Sequence, residues 1–373
     1  MGNKRFQQCT KTLMDNISDP NITFDKLGIS NYWYDYLLMA DKHLMHGEKG
    51  KKKWEQTIAR MKADGKKKKY DCIIGVSGGT DSTYIAYLVK KADLRPLIVH
   101  FDNGWNSEKA VQNINKIIDY LEADLYTLVV DWEEFRDLQR AYLKSGVIDI
   151  EVLTDHAIFG TLYRLAAKHG VKYVISGSNV ETEALLPKAW GFNKKDAINI
   201  KSIHAKYGEV KLKSYPFFTA INRQYYLRFK KLKFVSPINW APYNKQEVEE
   251  VIAKEIGWQG YGGKHNESIF TKFYQNYILP KKFKVDKRKA HLSNLICSGE
   301  ITRSEAVKEL HQEIYNPIEL SQDLEYVIKK LGFSMKEFDL LMKESPRVHT
   351  DYEVEGPMHL HYPLLKPFKF LYK

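Results

Sequence analysis

A short apolar strand that runs directly into a glycine pair and a helix constrains the fold of this chain most strongly. The segment YDCIIGV is apolar and β-branched and ends at Val76, and the loop SGGTDS follows it at positions 77–82. Ile85, Leu88 and Val89 then recur at helical spacing. Because a buried strand followed by such a loop and helix is typical of open parallel sheets, the segment predicts a strand–loop–helix unit.

The following segments repeat this alternation of strand and helix. RPLIVHF, LYTLVV and KYVIS have the short apolar pattern of buried strands, and amphipathic helical segments separate them, one of them at about 155–168. Strands that alternate with helices favour a parallel sheet covered on both faces and joined by right-handed crossovers. We therefore predict a doubly wound α/β fold.

The rest of the chain predicts three further units around this sheet. We place an N-terminal appendage at 1–66, the α/β domain at 67–236, a helical domain at 237–345 and an extended tail at 346–373. The helical domain is indicated by an Asn244 cap and by the capping box that begins at Thr302. The tail carries prolines and aromatics without helical period.

Charge and cysteine content limit the binding partners and the cellular compartment that we expect for the protein. A net charge of +12 favours an acidic partner, without choosing between a nucleotide, a phosphorylated sugar and RNA. Three separated cysteines argue against a disulfide framework, and the sequence shows no apolar stretch long enough to span a membrane. We expect a cytoplasmic protein with no membrane partner. The oligomeric state is open, a homo-oligomer included.

The loop 77–82 has the composition of a phosphate-binding site. Gly78 and Gly79 let the backbone approach oxygen atoms, Ser77, Thr80 and Ser82 add hydroxyls, and the helix N-terminus favours an anion. Asp81 would repel phosphate unless a magnesium ion lay between them, so the loop predicts ATP and Mg²⁺. It lacks the lysine of a Walker A loop and the third glycine of a dinucleotide fingerprint.

Two other predicted strand ends become polar at the same edge of the sheet. Asp102 and Trp105 follow the second strand. The strand KYVIS is followed by three candidate nucleotide contacts and two candidate magnesium ligands, namely Gly177, Ser178 and Asn179, then Glu181 and Glu183. Each run alone is typical of a turn, and their convergence on one edge favours a nucleotide site.

The motif SGGTDS closely resembles the signature of the PP-loop ATP pyrophosphatases, which have the adenine nucleotide alpha hydrolase-like fold. Longer blocks, among them FDNGWNSEKAVQNI, LLPKAWGFN and GGKHNESIFTKFYQNYILPKKF, are similar to the N-acetyl sugar amidotransferases of surface-polysaccharide and lipopolysaccharide biosynthesis. The resemblance extends over nearly the whole chain.

This resemblance implies an ATP-dependent, AMP-forming amidotransferase. Such an enzyme adenylates the acetamido oxygen of a nucleotide-linked sugar, and ammonia from glutaminase-like and cyclase-like subunits then yields an acetamidino group. The matching blocks contain two candidate catalytic residues, Lys188 and Lys264. The candidate substrate contacts in these blocks are Trp105, Lys188, Trp190, Lys264 and His265. For a single lysine, a solvated side chain is the ordinary alternative.

The N-terminal segment departs from the family pattern of two Cys-x-x-Cys pairs. The matching positions read Cys9-Thr10-Lys11-Thr12 and Ser30-Asn31-Tyr32-Trp33, so one cysteine of four remains. Because a structural zinc site needs four good ligands, we predict no zinc there.

Two alternatives remain open at this point. One is a PP-loop tRNA-modifying enzyme, either a thiolase or a lysidine-type ligase, for which the lysine runs would bind phosphates. The other is a non-catalytic assembly subunit that keeps the fold. The chain has no close cysteine pair of the thiolase kind and its loop is intact, so we expect an enzyme with no nucleic-acid partner.

Overall fold

A five-stranded, fully parallel sheet forms the centre of the protein. The computed structural model describes residues 5–241, 243–261 and 267–356. The strand order is β3-β2-β1-β4-β5. The strands are β1 (Cys72–Val76), β2 (Pro96–Asp102), β3 (Leu125–Val129), β4 (Tyr173–Ile175) and β5 (Lys233–Val235).

Fifteen α-helices surround this sheet and extend beyond it in the described part of the chain. They are α1 (Asn31–His43), α2 (Gly47–Gly65), α3 (Thr80–Lys91), α4 (Glu108–Leu121), α5 (Trp132–Ser145), α6 (Val152–His169), α7 (Val180–Glu183), α8 (Ala197–Tyr207), α9 (Ala220–Gln224), α10 (Lys245–Ile256), α11 (Ile269–Phe273), α12 (Arg288–Ser298), α13 (Arg303–Leu310), α14 (Pro317–Leu331) and α15 (Met335–Lys343). Short 3₁₀ turns cover Lys188–Trp190, Pro237–Trp240 and His349–Asp351, and π-helices cover Tyr225–Phe229 and Tyr274–Phe283. Among the described helices, none has both the length and the apolar character needed to cross a membrane.

The strand β1 is buried on both faces, as a doubly wound sheet requires. Ile74 lies in one core with Ile85 of α3 and Ile114 of α4. Ile73, whose side chain points to the opposite face, lies in a second core with Leu162 of α6. The predicted doubly wound α/β fold is confirmed.

The order of the strands places a switch point beside β1. The chain passes from β1 to β2 on one side, whereas β4 pairs with β1 on the other side. Ligands of open α/β sheets bind at such a point, beyond the carboxyl ends of the strands. The crevice expected here lies between the segments that follow β1 and β4.

The N-terminal segment packs on the C-terminal helices. Leu13 is buried with Leu292 of α12, and the Lys289 ammonium lies 2.5 Å from an Asp15 carboxylate oxygen. The Cys9 thiol accepts hydrogen bonds from the backbone amides of Ser30 (3.2 Å) and Thr12 (3.4 Å), so the two degenerate cysteine-pair segments lie side by side.

The first part of the predicted tail is held against the α/β core. The His349 ring stacks on Phe192 at 4.1 Å, and its Nδ1 lies 2.8 Å from the Asn199 side-chain oxygen. Burial lowers the pKa of His349 to about 4, so the ring is neutral in the folded protein. Residues 357–373 of the tail lie outside the described residues, and the proposed domain boundaries stay a prediction.

Candidate active site

The loop 77–82 leaves β1 and enters α3 at the switch point. Gly78 has φ +81°, and a Cβ there would lie 2.8 Å from the Ala110 carbonyl oxygen and 2.9 Å from the Tyr261 hydroxyl. This position therefore requires glycine. Gly79 is the N-cap of α3 and has no side chain to cap the helix, so the amides of the first turn are available to an anion.

The Gly78 carbonyl is held by three side chains that the motif did not reveal. It accepts hydrogen bonds from Trp258 Nε1 (2.8 Å), Tyr261 OH (2.8 Å) and Asn113 Nδ2 (3.4 Å). Asn113 also accepts from the backbone amide of Gln259 at 3.0 Å. Because a carbonyl oxygen repels phosphate, fixing this oxygen in bonds to the protein leaves the amide face of the loop for the nucleotide.

Hydroxyl groups complete the loop. The Ser77 and Ser82 oxygens lie 3.3 Å apart, and Ser82 donates to the Gly79 carbonyl at 3.1 Å. Thr80 donates to a Glu249 carboxylate oxygen at 3.3 Å. Ser77 is exposed, so its hydroxyl is accessible to a ligand.

Asp81 lies where the segments after β1 and β4 meet. The hydroxyl of buried Tyr243 donates to Asp81 Oδ1 at 2.5 Å. A Cβ on Gly177 would lie 3.0 Å from the Asp81 Cβ, so the two strand ends approach closely enough to favour glycine at 177. Burial, reinforced by the Asp81 carboxylate, raises the pKa of Tyr243 far above its usual range, so Tyr243 remains a donor.

Two further carboxyl groups follow in the same region: the Asp81 carboxylate acts on Glu300, and Glu300 in turn acts on Glu181. Burial, with the Glu300 carboxylate nearby, raises the pKa of Glu181 to about 7. Burial also raises the pKa of Glu300, opposed by Lys245 and reinforced by Asp81. Glu181 Oε2 and Glu300 Oε1 are buried and have no hydrogen-bond partner among the described residues. Two buried carboxylate oxygens without a hydrogen-bond partner among the described residues are consistent with a cation bound near Glu181 and Glu300.

The predicted magnesium ligands are only partly brought together. Glu181 is buried towards Glu300, whereas Glu183 is exposed, since residues two apart in a helix do not face each other. Within the described residues, no three His, Cys, Asp or Glu side chains form a metal site by themselves. Because Mg²⁺ commonly takes one or two carboxylates together with phosphate oxygens, Asp81 and Glu181 remain candidate ligands, and a role for the exposed Glu183 stays a prediction.

The structure places two predicted substrate contacts, Trp105 and Trp190, in the core. Trp105 is fully buried, its Nε1 donates to Gln139 at 2.9 Å, and its ring packs on Phe270. Trp190 is also buried and donates to the Ser18 carbonyl at 2.6 Å. Both indoles pack in the core, and neither side chain is exposed at the surface of the candidate site.

Two other residues predicted to lie at the strand ends, Asp102 and Asn179, make hydrogen bonds within the protein. Asp102 accepts from the backbone amide of Gly104 (2.8 Å) and from Asn106 (3.2 Å), which orders the loop after β2. Asn179 is buried, and its side-chain oxygen caps α7 through the Thr182 amide at 2.9 Å, so it has a structural role.

Ser178 and Lys188 are exposed and accessible to a ligand. Lys264 and His265 lie outside the described residues. The residues described on either side of them adjoin the loop: Tyr261 bonds to Gly78, and Glu267 Oε1 lies 3.6 Å from the position of a Cβ on Gly79.

The parallel sheet of order 3-2-1-4-5, with SGGTDS between β1 and α3 at its switch point, defines a PP-loop protein of the α/β class. Residues 267–365 match the family described as LPS biosynthesis protein WbpG-like, C-terminal domain. The C-terminal part of the chain therefore matches a family of lipopolysaccharide biosynthesis, which agrees with the resemblance found in the sequence.

One curated relative and two solved structures are also similar to this chain. The uncharacterized protein MJ1599 of Methanocaldococcus jannaschii is 32% identical over 131 residues, which are 35% of this chain and 45% of that protein, so the match spans less than half of the relative.

Among solved structures, the chain is similar to the NH3-dependent NAD synthetase of Campylobacter jejuni in complex with nitrate. The TM-score is 0.34 and the identity 16%, over 80% of this chain and 98% of that chain. For the NMN synthetase of Francisella tularensis, the TM-score is 0.29 and the identity 17%, over 60% and 92%.

Proposed function

We propose that this protein is an ATP-dependent, AMP-forming amidotransferase. Its substrate in this proposal is a nucleotide-linked N-acetyl sugar, whose acetamido group becomes an acetamidino group. The observation that carries the proposal is the loop 77–82, whose amides and hydroxyls lie at the switch point with Asp81 beside them. The WbpG-like C-terminal part supports a role in lipopolysaccharide biosynthesis.

The loop and α3 bind the phosphates of ATP in this proposal. The amides at the start of α3 and the Ser77 hydroxyl donate to phosphate oxygens, while Trp258 and Tyr261 keep the Gly78 carbonyl turned away from them. Asp81 and Glu181 would hold Mg²⁺, which neutralises charge on the triphosphate. Tyr243 fixes the orientation of the Asp81 carboxylate.

The reaction exchanges the acetamido oxygen for nitrogen in two steps. The carbonyl oxygen attacks the α phosphorus of ATP, the bond to the β phosphate breaks, and pyrophosphate leaves. Ammonia then adds to the imidate carbon of the adenylate, AMP leaves with the oxygen, and one proton is released. The protein contributes positioning and fixed donors, and exposed Lys188 is the described candidate for a contact with the sugar nucleotide.

Ammonia comes from glutaminase-like and cyclase-like partner subunits in this proposal. The family resemblance carries this part, since free ammonia is mostly protonated at neutral pH and a delivered molecule keeps its lone pair.

The activity is tested by incubating the full chain with ATP, Mg²⁺, ammonium salt and a panel of UDP-linked diacetamido sugars. We expect AMP and pyrophosphate to form only with the correct sugar, whose mass falls by the difference between O and NH. Formation of ADP would overturn the proposal, as would AMP release that depends on tRNA instead of a sugar.

Asp81 is tested by the substitution Asp81→Asn, which removes a charge and keeps the shape. We expect AMP formation to fall by at least about a hundredfold, as for the loss of one strong transition-state contact. Asp93→Asn is the matched control beyond the other end of α3, where the side chain makes an exposed ion pair with Lys62. Equal activity of the two variants would remove Asp81 from the site.

A further inference from the structure

A stripe of exposed apolar side chains runs along α9 and the π-helix that continues it. Ile221, Tyr225 and Phe229 follow one another at intervals of four residues, so they lie on one side of the helix, and their exposed fractions are 40%, 45% and 77%. The rings of Tyr225 and Phe229 stack with their centroids 6.0 Å apart. So much apolar surface in water is unfavourable and marks a contact site.

The opposite side of the same segment is anchored to the α/β core. Tyr226 packs on Tyr163 of α6, with ring centroids 5.3 Å apart. Phe234 of β5 packs on the same tyrosine at 5.4 Å and on Phe159 at 5.9 Å. The stripe is therefore presented by a fixed element.

The sequence around this stripe carries charge of one sign, although Glu355, from farther along the chain, lies 3.9 Å from the Arg223 guanidinium of α9. Residues 210–246 contain eight Lys and Arg residues and no Asp or Glu. Arg228, Lys230 and Lys231 are exposed next to Phe229, and the Lys230 ammonium lies 5.5 Å from the centroid of Tyr225. An apolar centre with a cationic rim complements a surface that is apolar beneath an anionic layer.

We propose that this lipid-facing patch, defined by Ile221, Tyr225, Phe229, Lys230 and Lys231, docks the protein on an anionic phospholipid bilayer. The apolar side chains enter the boundary between headgroups and acyl chains, while the cations contact lipid phosphates. This peripheral contact replaces our expectation of no membrane partner.

The topology of the sheet makes this orientation compatible with the nucleotide site. Lys233 begins β5, which runs parallel to β4 and β1, so the patch adjoins the end of the sheet where strands begin. The loop 77–82 lies at the end where strands finish. A bilayer under the patch leaves the crevice open to ATP.

Lipid fits the patch better than single-stranded RNA does. RNA-binding surfaces combine cations with aromatic rings on which bases stack. Here the two exposed rings stack on each other, and the aliphatic side chains of Ile221 and Leu227 have no π-face.

The test is co-sedimentation of the full chain with phosphatidylcholine vesicles that contain or lack phosphatidylglycerol. We expect binding only to the anionic vesicles, with an affinity that falls as salt is raised. Phe229→Ser should weaken binding about tenfold or more, since it removes one buried aromatic side chain. Lys230→Gln with Lys231→Gln should weaken it about twenty-fivefold, at about fivefold for each cation near the surface.

Two control variants make the same types of substitution at exposed positions outside the patch. Phe6→Ser alters another phenylalanine that is 61% exposed, and Lys51→Gln with Lys52→Gln alters two exposed lysines of α2. Both controls should bind anionic vesicles like the unaltered chain, and all variants should keep its melting temperature, because every changed side chain is exposed.

The proposal is overturned if the unaltered chain does not sediment with anionic vesicles, or if either patch variant binds them as well as its control. A dimer that Phe229→Ser dissociates, without vesicle binding, would make the face a contact between two copies of the chain. Binding of the patch to RNA alone would also overturn it. None of these outcomes concerns AMP formation, so this proposal and the proposed reaction fail separately.

Discussion

Replacing Gly78 by alanine tests whether the geometry of the phosphate loop depends on a missing side chain. The φ of +81° costs an alanine about 1–2 kcal/mol. The new Cβ would also lie 2.8 Å from the Ala110 carbonyl oxygen, a backbone atom that no side-chain rotation can move away. The loop must therefore shift and weaken the bonds from Trp258 and Tyr261 to the Gly78 carbonyl, at about 0.5–1.5 kcal/mol each.

The sum predicts that Gly78→Ala lowers the free energy of unfolding by about 2–5 kcal/mol. Gly170→Ala is the control, because Gly170 has φ +65° but meets only ordinary contacts, the nearest at 3.8 Å. It should cost only the backbone strain of about 1–2 kcal/mol. Urea unfolding compares the two variants, and calorimetric titration with ATP should show binding lost only in Gly78→Ala.

The reasoning is refuted if the two variants unfold at the same urea concentration and bind ATP equally. Equal stability with ATP binding lost only in Gly78→Ala would refute the steric part alone, and it would leave the loop as the nucleotide site.

Three further predictions concern stability. Burial lowers the pKa of both His349 and His156 to about 4, whereas a histidine of the unfolded chain binds a proton near pH 6.5. The free energy of unfolding should therefore fall as the pH is lowered from 7 to 4, by up to about 3 kcal/mol for each histidine. Urea unfolding at several pH values should show a weaker pH dependence for His349→Gln. Trp105→Ala should lower stability by about 3–5 kcal/mol, whereas Lys188→Ala should leave the melting temperature unchanged; the reverse order would restore Trp105 as a surface contact. Thr302→Ala should lower stability by about 1 kcal/mol, because Thr302 and Glu305 form a capping box at α13, and an unchanged urea midpoint would contradict that role.

Local patterns were sufficient to predict the sheet and the loop. The strand that ends at Val76, the glycines after it and the helical spacing of Ile85 and Val89 all lie within a few residues of one another. Such short-range patterns reflect burial and backbone conformation directly. The fold class and the position of the phosphate loop follow from them.

Long-range contacts and burial explain the residues that sequence reasoning missed or misplaced. Trp258 and Tyr261 are separated from Gly78 by 180 and 183 residues, and no local pattern links them to the loop. Trp105 and Trp190 stand among glycines and polar residues, as binding residues commonly do, yet both rings are buried. An indole satisfies core packing and a binding site equally well, and only the fold distinguishes the two.

Loop residues from the C-terminal part of the chain lie at the candidate site. Glu267 and Glu300 both lie within the WbpG-like match at 267–365, and both are next to the loop or its aspartate. Trp258 and Tyr261, just before that match, hold the Gly78 carbonyl. Because the charge and shape around the phosphate loop depend on these side chains, a specialised substrate can be selected by changes in the C-terminal part while SGGTDS stays the same. This arrangement explains why the loop indicates only the class of protein, whereas the C-terminal segment carries the match to lipopolysaccharide biosynthesis.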